Sequence, residues 1–182
     1  MHDSAYHWLQ QIRANHSFQS PVLEIGSIDI NGSARELWGT LQPYVGVDIV
    51  DGKNVDCVVD IRNWDIINNR YNHPYLYHDF KTIICTEVLE HVEPSSIINA
   101  MWLYMGDTCK VVITAASTKR KSHSADGSPE LKVDEYYKNV HPTTLLSLLN
   151  NPPIYIECIS VDVIINNDSS DVYAFAEYRR VL

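Results

Sequence analysis

The apolar positions of the chain switch between two periods, and each switch marks an element. Ala5, Trp8, Leu9 and Ile12 recur at helical spacing behind Ser4, which predicts a first helix capped by that serine. Its other face carries Tyr6, His7, Gln10, Gln11 and Arg13. Residues 1–20 thus read as a helix and a lead-in, closed by Pro21, which a strand tolerates at its start. Val22-Leu23-Glu24-Ile25 is the first strand, and Gly26 to Gly32 form a polar loop. Ser33-Ala34-Arg35-Glu36 has the spacing of a capping box, and Leu37, Trp38 and Leu41 continue a helix inward until Pro43.

Strand signals follow at Tyr44 to Ile49, Val55 to Val59 and Thr82 to Cys85, the first closed by an Asp51-Gly52 turn. Between the last two, Trp64, Ile66 and Ile67 suggest a short helix in an asparagine-rich segment. Pro94 opens a helix with Ile97, Ile98, Met101, Trp102 and Met105 inward, which Gly106 is expected to end. Cys109 to Thr114 is apolar without alternation, as in a strand covered on both faces. The stretch from Ala115 to His141 has little periodicity; so long an irregular loop in a compact domain is usually functional or mobile. A leucine-rich helix at Thr143 to Leu149 ends before Pro152-Pro153. Two strands close the chain, Ile154 to Ile165 and Val172 to Tyr178, and their short polar linker forces them to run antiparallel. Strands alternating with helices predict an α/β domain spanning residues 1–182, its sheet mostly parallel with an antiparallel last strand.

Composition narrows the function. The formal net charge of −9, with no long basic run, argues against broad contact with nucleic-acid phosphates. Cys57, Cys85, Cys109 and Cys158 stand singly, without Cys-x-x-Cys spacing, and read as buried reduced thiols. No apolar run has membrane-spanning length and no leader pattern opens the chain, so the expected location is the cytoplasm.

The candidate chemistry lies at strand ends. A strand, a glycine loop and a helix in that order place a nucleotide-like ligand at the carboxyl edge of an open α/β sheet. Glu24 ends the first strand, Asp48 the second and Asp60 the third. Asp48 stands about 20 residues beyond Gly26, the distance expected of a ribose-binding carboxylate. Gly26 allows close backbone approach. A dinucleotide-dependent dehydrogenase shares the ribose carboxylate, but G-x-G-x-x-G is missing, so no pyrophosphate cradle is set up. Trp38, Trp64 and Trp102 sit on apolar helical faces and read as core. Lys119-Arg120-Lys121 reads as a solvated cluster, beside the fifth strand's carboxyl end where a substrate carboxylate or phosphate could meet it.

With Thr86-Glu87-Val88-Leu89-Glu90-His91-Val92 after the fourth strand, these strand ends resemble class I S-adenosylmethionine-dependent methyltransferases. The resemblance runs from about Val22 to the final hairpin and is closest to small stand-alone members with a Leu-Glu-His-Val segment. It implies a three-layer Rossmann-like fold with seven strands ordered 3-2-1-4-5-7-6. It also implies S-adenosyl-L-methionine as cofactor, across the carboxyl ends of strands one to four. Carried over, Glu24, Gly26 and Ser27 lie beneath the donor's methionine part, and Asp48 with Ile49 meets the ribose. Asp60 and Ile61 reach the adenine, and Thr86 and Glu87 line the methionine end. The first motif departs from the family, since Ser27-Ile28-Asp29-Ile30-Asn31 separate Gly26 from Gly32.

The resemblance implies methyl transfer, and a small-molecule acceptor is expected. His91 and His123 are the candidate catalytic bases should the acceptor have to lose a proton, and the 115–141 loop, from its length and its place after the fifth strand, is expected to be mobile without ligand and to close over the acceptor. Tyr136, Tyr137 and His141 are further candidates for acceptor contact in that loop. Two alternatives remain. Glu87, Glu90 and His91, joined by His123 or His141, also resemble the metal set of small-RNA 3′-terminal 2′-O-methyltransferases. Related Leu-Glu-His segments without metal pack the helix start, and the expectation here is that no metal is bound. A non-catalytic S-adenosylmethionine sensor is the other alternative.

Overall fold

The computed structural model describes residues 2–63 and 78–181. The expected helix at Trp64, Ile66 and Ile67 lies outside the described residues. The seven strands are β1 (Val22–Ile25), β2 (Tyr44–Asp48), β3 (Cys57–Val58), β4 (Phe80–Thr86), β5 (Met105–Ala116), β6 (Ile156–Asn166) and β7 (Asp171–Arg180). They form one sheet in the order β3-β2-β1-β4-β5-β7-β6. Pairings from β3 through β5 are parallel, while β7 runs antiparallel to both β5 and β6. This is the expected α/β architecture and strand order.

Among the described residues, four α-helices accompany the sheet: α1 (Asp3–Asn15), α2 (Arg35–Trp38), α3 (Pro94–Tyr104) and α4 (Pro142–Leu149). Alternate strand residues serve two cores. Val22, Ile84, Val112 and Phe175 join Leu9 of α1 and Trp38 of α2 on one face. Leu23, Ile83, Val111 and Ala174 join Ile98 and Met101 of α3 and Leu145 of α4 on the other. Because both faces are covered, the central strands are apolar at nearly every position and show no alternation.

Several element ends differ from the sequence expectation. Helix α1 begins one residue before Ser4, with His2 at its N-cap and no side-chain cap. Helix α2 is one turn long and does not reach Leu41. Its capping box forms by half: Ser33 Oγ accepts from the Arg35 amide at 3.1 Å, but Glu36 accepts from the Tyr6 hydroxyl at 3.0 Å. Gly106 does not end α3, because β5 begins directly at Met105. There Gly106 lies inside the strand, where an added Cβ would stand 3.2–3.3 Å from the carbonyl oxygens of His78, Asp79 and Phe80.

Candidate functional site

Register brings the strand ends to one level. Ile25 pairs with Val47 of β2 and Cys85 of β4, and Asp48 pairs with Val58 of β3. The residues just beyond these pairs, Gly26, Ile49, Val59 with Asp60, and Thr86, therefore share the sheet's carboxyl edge. A cavity of about 1010 Å³ opens there, the size that takes a drug-sized molecule. Glu24, Gly26, Asp48, Ile49, Asp60, Ile61, Thr86, Glu87, His91 and His123 all line it. His2 and Asp3 at the start of α1 and the loop after β5 complete the wall.

The glycine loop is built by its own hydrogen bonds. Gly26 has a φ of +74°, and a Cβ at that position would stand 2.1 Å from Val88 Cγ2. Only glycine meets both demands. The amides of Gly26 and Ser27 both donate to the Val47 carbonyl, at 2.9 and 3.1 Å. Ser27 itself is buried, and its hydroxyl has no partner. Asp29 closes the extended part of the loop: one oxygen accepts from the Gly32 amide at 2.9 Å, the other from Lys53 Nζ at 2.5 Å. Those bonds hold the carboxyl of Asp29 below its ordinary range, the lysine contributing most.

The strand-end acids have distinct surroundings. Glu24 is 1% exposed and accepts from the Tyr44 hydroxyl at 2.8 Å. Burial pushes its carboxyl up to about 7, against the opposing effect of that hydrogen bond. Asp48 accepts from the Ile28 amide and, on its other oxygen, from the Val50 amide, each at 3.1 Å. It therefore fixes the glycine loop to the end of β2 while both oxygens keep capacity for another donor. Beside it, Ile49 is 69% exposed, an apolar side chain standing at the cavity's lip. Asp60 pairs with Arg62, whose guanidinium holds its carboxyl below the ordinary range. Ile61 is buried in the following 3₁₀ turn (Ile61–Asn63), where its carbonyl accepts from the Tyr104 hydroxyl at 3.1 Å.

After β4 the chain makes a tight turn rather than entering a helix at once. Glu87 has a φ of +58°, a strained position for a non-glycine residue. Its amide donates to the Thr114 carbonyl and its Oε1 accepts from Thr114 Oγ1, both at 2.8 Å. Glu90 is fully buried; its Oε1 accepts from the Ala116 amide at 3.2 Å, and its Oε2 has no partner. Burial raises both carboxyls, and at Glu90 the neighbouring Glu87 adds to the effect. His91 is half-buried, and burial with the nearby His123 lowers its imidazole to about 4. The rings of His91, His123 and Tyr137 meet edge to face, with centroids 5.0–5.4 Å apart.

The loop after β5 separates its candidates. His123 and Lys121 reach the cavity, whereas His141 caps α4 by accepting from the Thr143 amide. Tyr136 turns to Glu93 at 3.3 Å. Arg120 is half-buried rather than solvated, and it binds the Ser169 carbonyl at 2.6 Å and the fully buried Asp171 at 3.1 Å. Sequence reasoning missed Tyr44 as the partner of Glu24 and Lys53 as the partner of Asp29. The signal for Tyr44 was a hydroxyl on the neighbouring strand, and for Lys53 a cation in the loop after that strand.

Among the described residues, no helix is long and apolar enough to cross a membrane, and all four cysteines are free thiols. No protein-family model matches the chain, and no curated protein matches it. Solved structures do. A SAM-dependent methyltransferase from Archaeoglobus fulgidus superposes with a TM-score of 0.61 at 15% identity, over 95% of this chain and 94% of that one. The 1,6-didemethyltoxoflavin-N1-methyltransferase of Burkholderia thailandensis, with bound 1,6-didemethyltoxoflavin and S-adenosylhomocysteine, gives 0.59 at 10% identity over 99% and 80%. The N-methyltransferase NodS of Bradyrhizobium japonicum, in complex with S-adenosylhomocysteine, gives 0.58 at 12% identity over 99% and 87%. At these identities the likeness is one of fold: the chain has the Rossmann-like fold of these methyltransferases.

Proposed function

We propose that the chain binds S-adenosyl-L-methionine along the carboxyl edge of β1, β2, β3 and β4 and transfers its methyl group to a small-molecule acceptor. The observation that carries this reading is the cavity itself. It joins Gly26, which presents backbone alone, the Asp48 carboxylate and an exposed isoleucine in one continuous space. The ribose hydroxyls donate to Asp48, and Ile49 and Ile61 give the adenine an apolar contact. Asp60 accepts from the adenine amino group. The methionine part lies over Gly26, towards Thr86 and Glu87, with Glu24 beneath the loop; Ser27, expected to share this contact, is buried and does not line the cavity. The fold likeness to methyltransferases crystallised with S-adenosylhomocysteine and, in one case, a small-molecule substrate supports the reading.

The chemistry asks little covalent work of the protein. The acceptor's lone pair attacks the methyl carbon in line with the carbon–sulfur bond, which breaks with its electron pair going to sulfur. The site contributes by holding the two reactants in line and excluding water from the sulfonium. His91 and His123 are among the polar side chains that line the cavity, and they are the candidate bases where the acceptor must lose a proton. The loop after β5 closes that end, with Ser124, Ala125 and Lys132 also at the wall.

Calorimetry with S-adenosylmethionine and S-adenosylhomocysteine tests the donor site. Micromolar binding is expected, weakened at least about 30-fold in Asp48→Ala, as for loss of two charge-assisted hydrogen bonds. Asp48→Asn keeps an acceptor for the Ile28 or Val50 amide and separates donor contact from loop support. Absence of binding to either ligand by the wild-type chain would remove the proposal. Transfer itself is read by mass spectrometry of a small-molecule extract incubated with methyl-labelled donor.

A further inference from the structure

A second cavity, of about 410 Å³, opens between α1 and the β6–β7 hairpin. It shares no lining residue with the cavity at the sheet's carboxyl edge, and its volume lies within the range of small-molecule sites. Strand register builds its floor. Ser160 pairs with Glu177, Asp162 with Phe175 and Ile164 with Tyr173, so these side chains point to the sheet face that carries α1. Helix α1 and its C-cap supply the facing wall with Trp8, Ile12 and His16. Ring contacts hold that wall in place: Trp8 stacks on Tyr173 with centroids 4.9 Å apart, and His16 lies 4.2 Å from Phe175.

The charge of this trough has one sign. Asp162 and Glu177 line it, and no lysine or arginine does. The Asp162 side chain is exposed and, among the described residues, has no hydrogen-bond or ion-pair partner. Glu177 faces Lys110 across 3.7 Å, too long for a hydrogen bond, so its oxygens keep capacity to accept. The two acids flank Phe175 as diagonal neighbours on one sheet face, about 7–8 Å apart. An ammonium group, with three donors, suits that spacing. The fold already places one ammonium in similar surroundings: Lys110 Nζ lies 5.8 Å from the centre of the Phe18 ring while it faces Glu177.

From this geometry we infer that the trough between α1 and the β6–β7 hairpin binds a small organic amine with an apolar body. The ammonium donates to Asp162 and Glu177, and the body lies against Trp8, Ile12, Phe175 and Ile164. Each part contributes separately. Covering Ile164, 45% exposed in the free chain, and the half-buried Trp8 removes apolar surface from water. The carboxylates select for charge, since an acid with the same body meets two like charges there. The site is independent of the methyl-transfer reading, because the two cavities have no residue in common.

The test titrates the isotope-labelled full chain with phenethylamine and follows the Trp8 indole N–H in proton–nitrogen correlation spectra. The Trp8→Phe variant assigns that signal. A saturable shift in the millimolar range is expected, the strength open to a ligand of about nine non-hydrogen atoms. Hydrocinnamate, a similar body with the opposite charge, should leave the signal in place. Asp162→Asn should weaken phenethylamine at least about threefold, and the double variant with Glu177→Gln at least about tenfold. Because Asp162 is exposed, Asp162→Asn should keep the melting temperature of the parent. No saturable shift, equal affinity for hydrocinnamate, or an affinity for phenethylamine unchanged by Asp162→Asn would overturn the inference.

Discussion

Glutamate 24 gives the chain a pH-dependent stability of defined sign. Its carboxyl is 1% exposed, and burial raises it from 4.5 to about 7. In the unfolded chain it returns to about 4.5. Between pH 4.5 and 7 the folded protein thus holds a proton that the unfolded chain has lost, so its stability falls as pH rises through that window. The size of the effect is about 3 kcal/mol, complete above pH 7. Glu24→Gln preserves shape and an oxygen for the Tyr44 hydroxyl but cannot titrate. Relative to the parent it should gain about 3 kcal/mol of stability between pH 4.5 and pH 8. Urea unfolding followed by circular dichroism at both pH values measures the gain. Glu87 and Glu90 carry the same sign through their own burial, but they are common to both proteins and cancel in the difference. Tyr44→Phe is the companion. It removes the donor at 2.8 Å that favours the ionised form, so it should steepen the decline. A stability difference between Glu24→Gln and parent that is equal at pH 4.5 and pH 8 would refute the reasoning.

Two further outcomes follow from the same geometry. Gly26→Ala combines a left-handed φ with a Cβ 2.1 Å from Val88 Cγ2; it should cost about 1–3 kcal/mol in urea unfolding and weaken S-adenosylhomocysteine binding in calorimetry. Replacing residues 126–133 by a short glycine linker should leave S-adenosylhomocysteine affinity within about threefold, or about 0.7 kcal/mol, while labelled product from methyl-labelled donor is lost.

Strands β1, β4 and β5 were legible because a sheet covered on both faces needs apolar residues at consecutive positions, and Leu23, Ile83 and Val111 supply one core while Val22, Ile84 and Val112 supply the other. Strand order was not readable from periodicity; it came with the family resemblance. Element ends failed where tertiary partners compete. Met105 and Gly106 read as the last turn of a helix, yet Met105 pairs with Phe80 on the neighbouring strand. Local pattern holds no term for that partner. Ser33 and Glu36 have capping spacing, but Tyr6 of α1 takes the glutamate, a partner 30 residues away.

Residues at the strand ends were legible for a similar reason: polar groups that interrupt an apolar run mark where a strand leaves the core. Their partners were not. Glu24 and Tyr44 lie on adjacent strands, and only the register of β1 against β2 decides that they meet. Among the loop histidines, His123 and His141 were equivalent in sequence. The structure separates them by backbone hydrogen bonding, since His141 is taken by Thr143 at the start of α4.

The same bonding defines which part of the long loop can act on the cavity. Its two stems are fixed: the Val140 amide donates to the Ala116 carbonyl, the Lys138 amide to Glu90, and Asn139 Nδ2 to the Arg120 carbonyl. Arg120 is in turn held by Asp171 and the Ser169 carbonyl. Glu135 gathers Ser124 Oγ and the Ala125 and Lys132 amides. Between these anchors Asp126, Gly127 and Pro129 line the cavity, while Leu131 and Val133 turn outward, 39% and 92% exposed. A closing motion that spared the anchors would be confined to the tip, and His123 would keep its place beside Glu90 and His91. The loop is thus fixed at its stems, which hold His123 beside Glu90 and His91 at the cavity wall, while its tip carries the two exposed apolar side chains, Leu131 and Val133.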